Sequence, residues 1–177
     1  MKRILICGLP GSGKTTHARK LADRMHLCEV SVGDALREMA KEDNSLGHLV
    51  KEEMSKGDFV DDDIAARVVS QKIHSLECEN GFVVDGYPRS LDQLKLFDPE
   101  FNEIVFIDVD PAIAEKRLLS RGRQDDDPKV IEHRLKVYEE HTKPIIDYFS
   151  DLGLVKVIDG DADMEIVYDR IVEAFEK

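Results

Sequence analysis

The chain opens on a short apolar run, RILIC at residues 3–7, and similar runs return at CEVSV (28–32), FVVD (82–85), EIVFIDV (103–109) and LVKVID (154–159). Each is short, rich in β-branched residues and bounded by polar or turn-forming positions, so the five predict strands. Between them apolar positions recur at helical spacing. A last amphipathic helix is expected from about Ala162 to Phe175, with Met164, Val167, Ile171, Val172 and Phe175 on its apolar side. Strands that are apolar without alternation are covered on both faces. Alternating strands and helices then predict an α/β protein with a parallel sheet joined by right-handed crossovers. The interval from Asp34 to about Leu76 departs from this rhythm. It holds only helical patterns, interrupted at Asn44-Ser45 and Gly57-Asp58, and predicts a helical excursion from the sheet.

A length of 177 residues suits one domain spanning residues 1–177, and the composition, 42% hydrophobic and 35% charged, is that of a soluble globular protein. No segment approaches the roughly 18 apolar residues of a membrane helix, and the N-terminus MKRILICG is not a secretory signal, so a cytoplasmic location is expected. Cys7, Cys28 and Cys78 lie far apart without C-x-x-C pairing. They are expected as reduced, mostly buried thiols, with neither a disulfide framework nor a zinc site. The net charge of −12 argues against a dedicated nucleic-acid binder. Within that acidic background Arg117, Arg121 and Arg123 form a local basic cluster that calls for an anionic partner.

The first strand runs into GLPGSGKTTH (8–17), in which Gly8, Gly13, Lys14 and Thr15 fit G-x-x-x-x-G-K-[ST]. Such a loop, placed between a strand and a helix, surrounds phosphate oxygens with backbone N–H groups while its lysine adds a point charge. It predicts a bound nucleoside triphosphate. A GTP switch would also carry N-K-x-D, but none of Asn44, Asn80 or Asn102 precedes a lysine. A kinase instead needs arginines to neutralise two phosphate-bearing reactants.

Three further stretches complete the pattern: SVGDALRE (31–38), DGYPRSLDQL (85–94) and RLLSRGRQDDDPKVIEHRL (117–135). With the glycine-rich loop they resemble the nucleoside monophosphate kinases, most closely the short-lid adenylate kinases, in order from residue 3 to about 160. The resemblance implies a P-loop NTPase fold with a five-stranded parallel sheet and helices on both faces. It also implies a monophosphate-binding helical segment at about 31–60 and a very short lid at about 121–128. The implied reaction moves the γ-phosphoryl of Mg-ATP to AMP, giving two ADP, with Lys14, Arg89, Arg123 and Arg134 as the catalytic residues. By the same resemblance Gly11, Ser12, Gly13, Lys14, Thr15, Thr16, Arg117, Arg121 and Gly160 bind ATP. Val32, Arg37, Asp58, Phe59, Val60, Gly86, Tyr87, Pro88, Arg89, Gln93, Arg123 and Arg134 bind AMP, with Gln93 on the edge of the adenine. Magnesium falls to Asp85, through water, and to Thr15, which stands where most of the family carry glycine and restores a hydroxyl. The implied partners are the small-molecule nucleotides ATP and AMP acting on a monomer, with no zinc, nucleic acid or membrane.

Two positions depart from the adenylate kinase pattern. Val32 replaces a threonine, which favours a UMP/CMP kinase as the alternative, and Asp58 replaces the usual lysine; the retained Gln93 favours adenine. A non-catalytic ATP-binding sensor is the remote alternative. Between Arg121 and Arg123 stands only Gly122, so the lid is shorter than the usual short form. Asp125 and Asp126 are implied as partners of the lid arginines, and Asp125–Asp127 read equally well as caps of a helix starting near Pro128.

Overall fold

The structure, a computed structural model, describes residues 1–122 and 126–176. Strands β1 (Lys2–Gly8), β2 (Cys28–Ser31), β3 (Gly81–Asp85), β4 (Glu103–Asp108) and β5 (Val155–Asp159) form one sheet in the order β2-β3-β1-β4-β5. Every neighbouring pair is parallel. Ile4, Leu5, Ile6, Val83, Val84, Ile104, Val105 and Ile107 are all buried, so consecutive residues of the central strands meet apolar neighbours on both faces. That double burial is why these runs show no alternation. The five expected strands are present with ends shifted by a residue or so. The exception that matters is Val32, expected in β2. It begins a helix instead, because the Ser31 hydroxyl accepts the N–H of Asp34 at 3.4 Å and caps it.

The described helices are α1 (Lys14–Met25), α2 (Val32–Met39), α3 (Ser45–Lys56), α4 (Asp62–Ile73), α5 (Leu91–Leu96), α6 (Pro111–Arg121), α7 (Pro128–Val137), α8 (Lys143–Asp151) and α9 (Met164–Glu176). The two breaks expected within the helical excursion are real. Asn44 caps α3 by accepting the Gly47 N–H at 2.8 Å, and Gly57 ends it in the left-handed region at φ 83°. Helices α7 and α8 are continuous through a widened π-turn at Tyr138–Thr142, where the Lys143 N–H reaches back to Tyr138 O. Pro144 has no N–H with which to continue the α-helical ladder, and the wider turn accommodates it.

One expectation is overturned. Cys28 and Cys78 are joined by a disulfide, and only Cys7 remains a free, buried thiol among the described residues. The two cysteines are 50 residues apart in sequence. The parallel pairing of β2 with β3, Cys28 opposite Phe82, brings the turn before β3 alongside the start of β2. No helix among the described residues is long and apolar enough to cross a membrane.

Candidate active site

The strand order reverses about β1, whose neighbours are β3 on one side and β4 on the other. In open parallel sheets a crevice opens at such a point beyond the carboxyl ends of the strands. Here the loop after β1 and the end of β3 meet, with Ile6 paired to Asp85.

The glycine-rich loop is held by its own backbone. The Ser12 N–H donates to Leu9 O at 3.0 Å, and Gly11 and Gly13 have φ of +88° and +85°, where side chains are disfavoured. A β-carbon on Gly11 would also collide with the carbonyl of Ala114 on α6. Gly13 leads into α1 with no side-chain cap, so the first-turn N–H groups of α1 can serve an anion. Lys14 Nζ donates to Leu9 O at 3.2 Å. Burial pulls the Lys14 pKa down from 10.5 to about 8, with nearby Asp85 opposing the shift and Arg89 and Arg121 adding to it.

Thr15 and Asp85, the two expected magnesium residues, are brought together: the Thr15 hydroxyl donates to Asp85 Oδ2. Asp85 is 4% exposed, and its Oδ1 is buried with no hydrogen-bond partner. A buried carboxylate oxygen left unsatisfied is costly unless something positive or water-borne completes it. Carboxylate and hydroxyl are hard oxygen donors, so the pair fits magnesium.

Facing the loop is a cleft enclosing about 1260 Å³ of space that includes open solvent. Gly11, Lys14, Thr15, Asp85, Arg121 and Arg134 line it together with Val32, Arg37, Asp58, Phe59, Val60, Gly86, Pro88, Arg89 and Gln93. Arg89 is fixed from several directions. Its Nε donates to Gly86 O at 3.0 Å, its N–H donates to Gln93 Oε1 at 2.7 Å, and its carbonyl accepts from the Thr142 hydroxyl at 3.0 Å. The guanidinium lies 5.7 Å from the centre of the Phe59 ring, and burial lowers its pKa. Gln93 is 2% exposed and donates its Nε2 to Asp62 Oδ1 at 2.7 Å. Arg37 pairs with Asp34. Asp126, nearly buried, accepts from both Nε and Nη2 of Arg121, at 3.0 and 2.6 Å, and lies 3.9 Å from Arg134 Nη1. That pairing was implied for Asp126. Asp127 is the cap of α7, through the Lys129 N–H.

Other expected residues are not part of the cleft lining. Ser12, Gly13, Thr16 and Tyr87 do not line it; the buried Tyr87 hydroxyl is shared between Gln93 O at 2.6 Å and Phe97 O at 2.8 Å. Arg117 is also outside, its Nη2 donating to Gly160 O and Ala162 O at 3.1 and 3.0 Å, which ties α6 to the loop after β5. The Asp58 carboxylate is engaged by His133 Nε2 of α7 at 2.7 Å. Arg123 and Asp125 lie outside the described residues. His17 is buried and its pKa is pulled down to about 4, first by burial, so it is neutral. Burial likewise pushes the Cys7 thiol up to about 12. Asp62 and Thr142 had no signal in sequence: the first reads as one more carboxylate at a helix start, the second as a helical threonine.

A phosphate loop, a buried carboxylate at the end of the adjacent strand and a wall of arginines describe a phosphoryl-transfer cleft, and comparison with known proteins agrees. A model of the family described as adenylate kinase matches residues 6–154. The chain belongs to the adenylate kinase family. Its similarity to individual family members spans nearly the whole chain. It is 36% identical to an adenylate kinase of Micrococcus luteus, over 98% of this chain and 90% of that protein. It is 39% identical to an adenylate kinase of Prochlorococcus marinus subsp. pastoris, over 94% and 93% respectively. Adenylate kinase 1 of a Nostoc strain is 34% identical, over 94% and 95%. The enzymatic assignment and the fold expected from sequence both stand.

Proposed function

We propose that this adenylate kinase transfers the γ-phosphoryl of Mg-ATP to the phosphate of AMP, giving two ADP, in one kinase domain over residues 1–177. The bond from the γ-phosphorus to the β,γ-bridging oxygen breaks as a bond to an AMP phosphate oxygen forms. What carries the reading is the placement of Lys14, Asp85, Arg89, Arg121 and Arg134 around one cleft. Such a transfer needs two oxygens held in line and charge stabilised, with no covalent help from the protein.

The loop N–H groups and Lys14 hold the β- and γ-phosphates, and Arg121 faces them from the very short lid. Arg37 and Arg89 hold the AMP phosphate, and Gln93 meets the adenine, with Val32 and Val60 beside the base. Arg134, with Arg123, serves the space between the nucleotides. Asp85, through water, and the Thr15 hydroxyl would hold magnesium. Neutralisation of the phosphate oxygens is the chemistry magnesium would supply there. Val32, which removes a hydroxyl from the acceptor side, is the observation that favours a UMP/CMP kinase instead.

Steady-state phosphorylation of AMP, CMP, UMP and dTMP side by side tests the reading. AMP is expected to be the best acceptor, and higher kcat/KM on either pyrimidine ribonucleotide would overturn it.

A further inference from the structure

The carboxamide of Gln93 is a symmetric shape with an asymmetric edge, since rotation by a half turn exchanges its acceptor oxygen for its donor nitrogen. Its two partners in this structure remove that freedom. The Arg89 backbone N–H can only donate, and it meets Oε1 at 2.7 Å. The Asp62 carboxylate can only accept while ionised, and it meets Nε2 at 2.7 Å. The reversed amide would set N–H against N–H and oxygen against carboxylate, losing both bonds in a buried place. The rest of Gln93 is pinned too: its backbone N–H donates to Ser90 Oγ at 3.1 Å, and its carbonyl accepts from the Tyr87 hydroxyl.

Asp62 stands in the first turn of α4, where an acidic residue ordinarily caps or favours the helix dipole. Capping is already done by Asp61, whose Oδ1 accepts from the N–H groups of Asp63 and Ile64 at 3.1 and 3.2 Å. Asp62 instead reaches across to α5. After these two bonds Gln93 keeps one N–H and one oxygen lone pair, in a fixed order, on the side chain that lines the cleft.

We infer that Asp62 is a specificity-determining residue that locks the orientation of the Gln93 amide and thereby selects a 6-amino over a 6-oxo purine monophosphate. Adenine presents an acceptor at N1 beside a donor at its amino group. Hypoxanthine, of the same size, presents a donor at N1 beside an acceptor oxygen, so it needs the reversed amide. The locked amide matches the first and opposes the second. The inference rests on the proposed contact of Gln93 with the base.

The test compares kcat/KM for AMP and IMP, with saturating Mg-ATP, in the full chain and in Asp62→Asn, Asp62→Glu and Gln93→Leu. Asparagine can donate as well as accept, so Asp62→Asn removes the acceptor-only half of the lock, leaving the Arg89 N–H as the one remaining constraint, while Asp61 still caps the helix. The AMP-to-IMP ratio is expected to fall at least about tenfold in Asp62→Asn, mostly through the two KM values, with the KM for ATP unchanged. Asp62→Glu, which again only accepts, should restore most of the ratio. A ratio is taken within one preparation, so a smaller folded fraction cancels. If Gln93→Leu collapses the ratio but Asp62→Asn moves it less than about threefold, Asp62 is not the specificity determinant and the proposal fails, while the base contact stands. An unchanged ratio in Gln93→Leu removes the base contact and the lock with it.

Discussion

The two walls of the cleft are built in opposite ways. The proposed ATP side is built mainly on ten consecutive residues, 8–17, whose working parts are backbone N–H groups and one lysine, shaped by glycines at positive φ, with Arg121 added from the end of α6. The proposed acceptor side is assembled from side chains far apart in the chain: Gln93 to Asp62 spans 31 positions and Arg89 to Thr142 spans 53. A contiguous loop tolerates changes in its surroundings as long as its backbone keeps its path. A side-chain network transmits the loss of any member to the group it aims.

The largest test of that contrast is Arg89→Ala. Removing an aimed charge from a transfer site costs on the order of 3 kcal/mol of transition-state stabilisation. Steady-state kinetics should show kcat/KM for AMP down by more than about a hundredfold with an unchanged circular dichroism spectrum. Near-normal turnover would remove Arg89 from the acceptor wall.

Next comes the pH response of the ATP wall. Lys14 titrates near 8 in the unliganded fold against 10.5 as a free group, chiefly because it is buried. ATP favours the charged lysine, so affinity should fall about tenfold from pH 7 to pH 9, with proton uptake on binding at the higher pH. Titration calorimetry in buffers of different ionisation heat measures both, and Lys14→Met should abolish the uptake. Stability of the unliganded fold responds with the opposite sign. Between about 8 and 10.5 the unfolded chain binds more protons at this residue, so the Lys14 contribution to stability rises with pH.

A smaller effect is expected of Thr142→Val, which deprives the Arg89 carbonyl of its donor. The loss of one such bond is worth roughly 1 kcal/mol. Turnover with AMP should fall severalfold, ATP binding should be unaffected, and Thr142→Ser should recover activity. Equal damage to both substrates would mean that the walls are not separable. The smallest is His133→Ala, which breaks the half-exposed pair with Asp58. Exposed pairs contribute about 0–1 kcal/mol, so thermal unfolding should shift little and kcat should stay unchanged.

The same contrast governs what could be read before the structure. Strands, phosphate loop and several helix boundaries were legible because each is encoded by neighbours: Asn44 caps one helix, Gly57 ends it, and Gly13 opens another. Arg37, Arg89, Gln93 and Arg134 were nameable through family motifs, and all line the cleft. Their anchors were not nameable. Asp62 hides in a run of three aspartates, and Thr142 is placed by a π-turn beside Pro144. The Cys28–Cys78 bridge contradicted the expectation of separate thiols because strand order, not spacing, sets their distance.

By itself, then, the sequence determined the α/β sheet, the phosphate-binding loop and the class of chemistry, since periodicity, capping and a contiguous backbone motif act over a few residues. Only the tertiary structure decided that the Thr15 hydroxyl donates directly to Asp85, which direction the Gln93 amide points and what holds Arg89 in place. Those depend on side chains meeting across the sheet order, and nothing local in the chain specifies such a meeting.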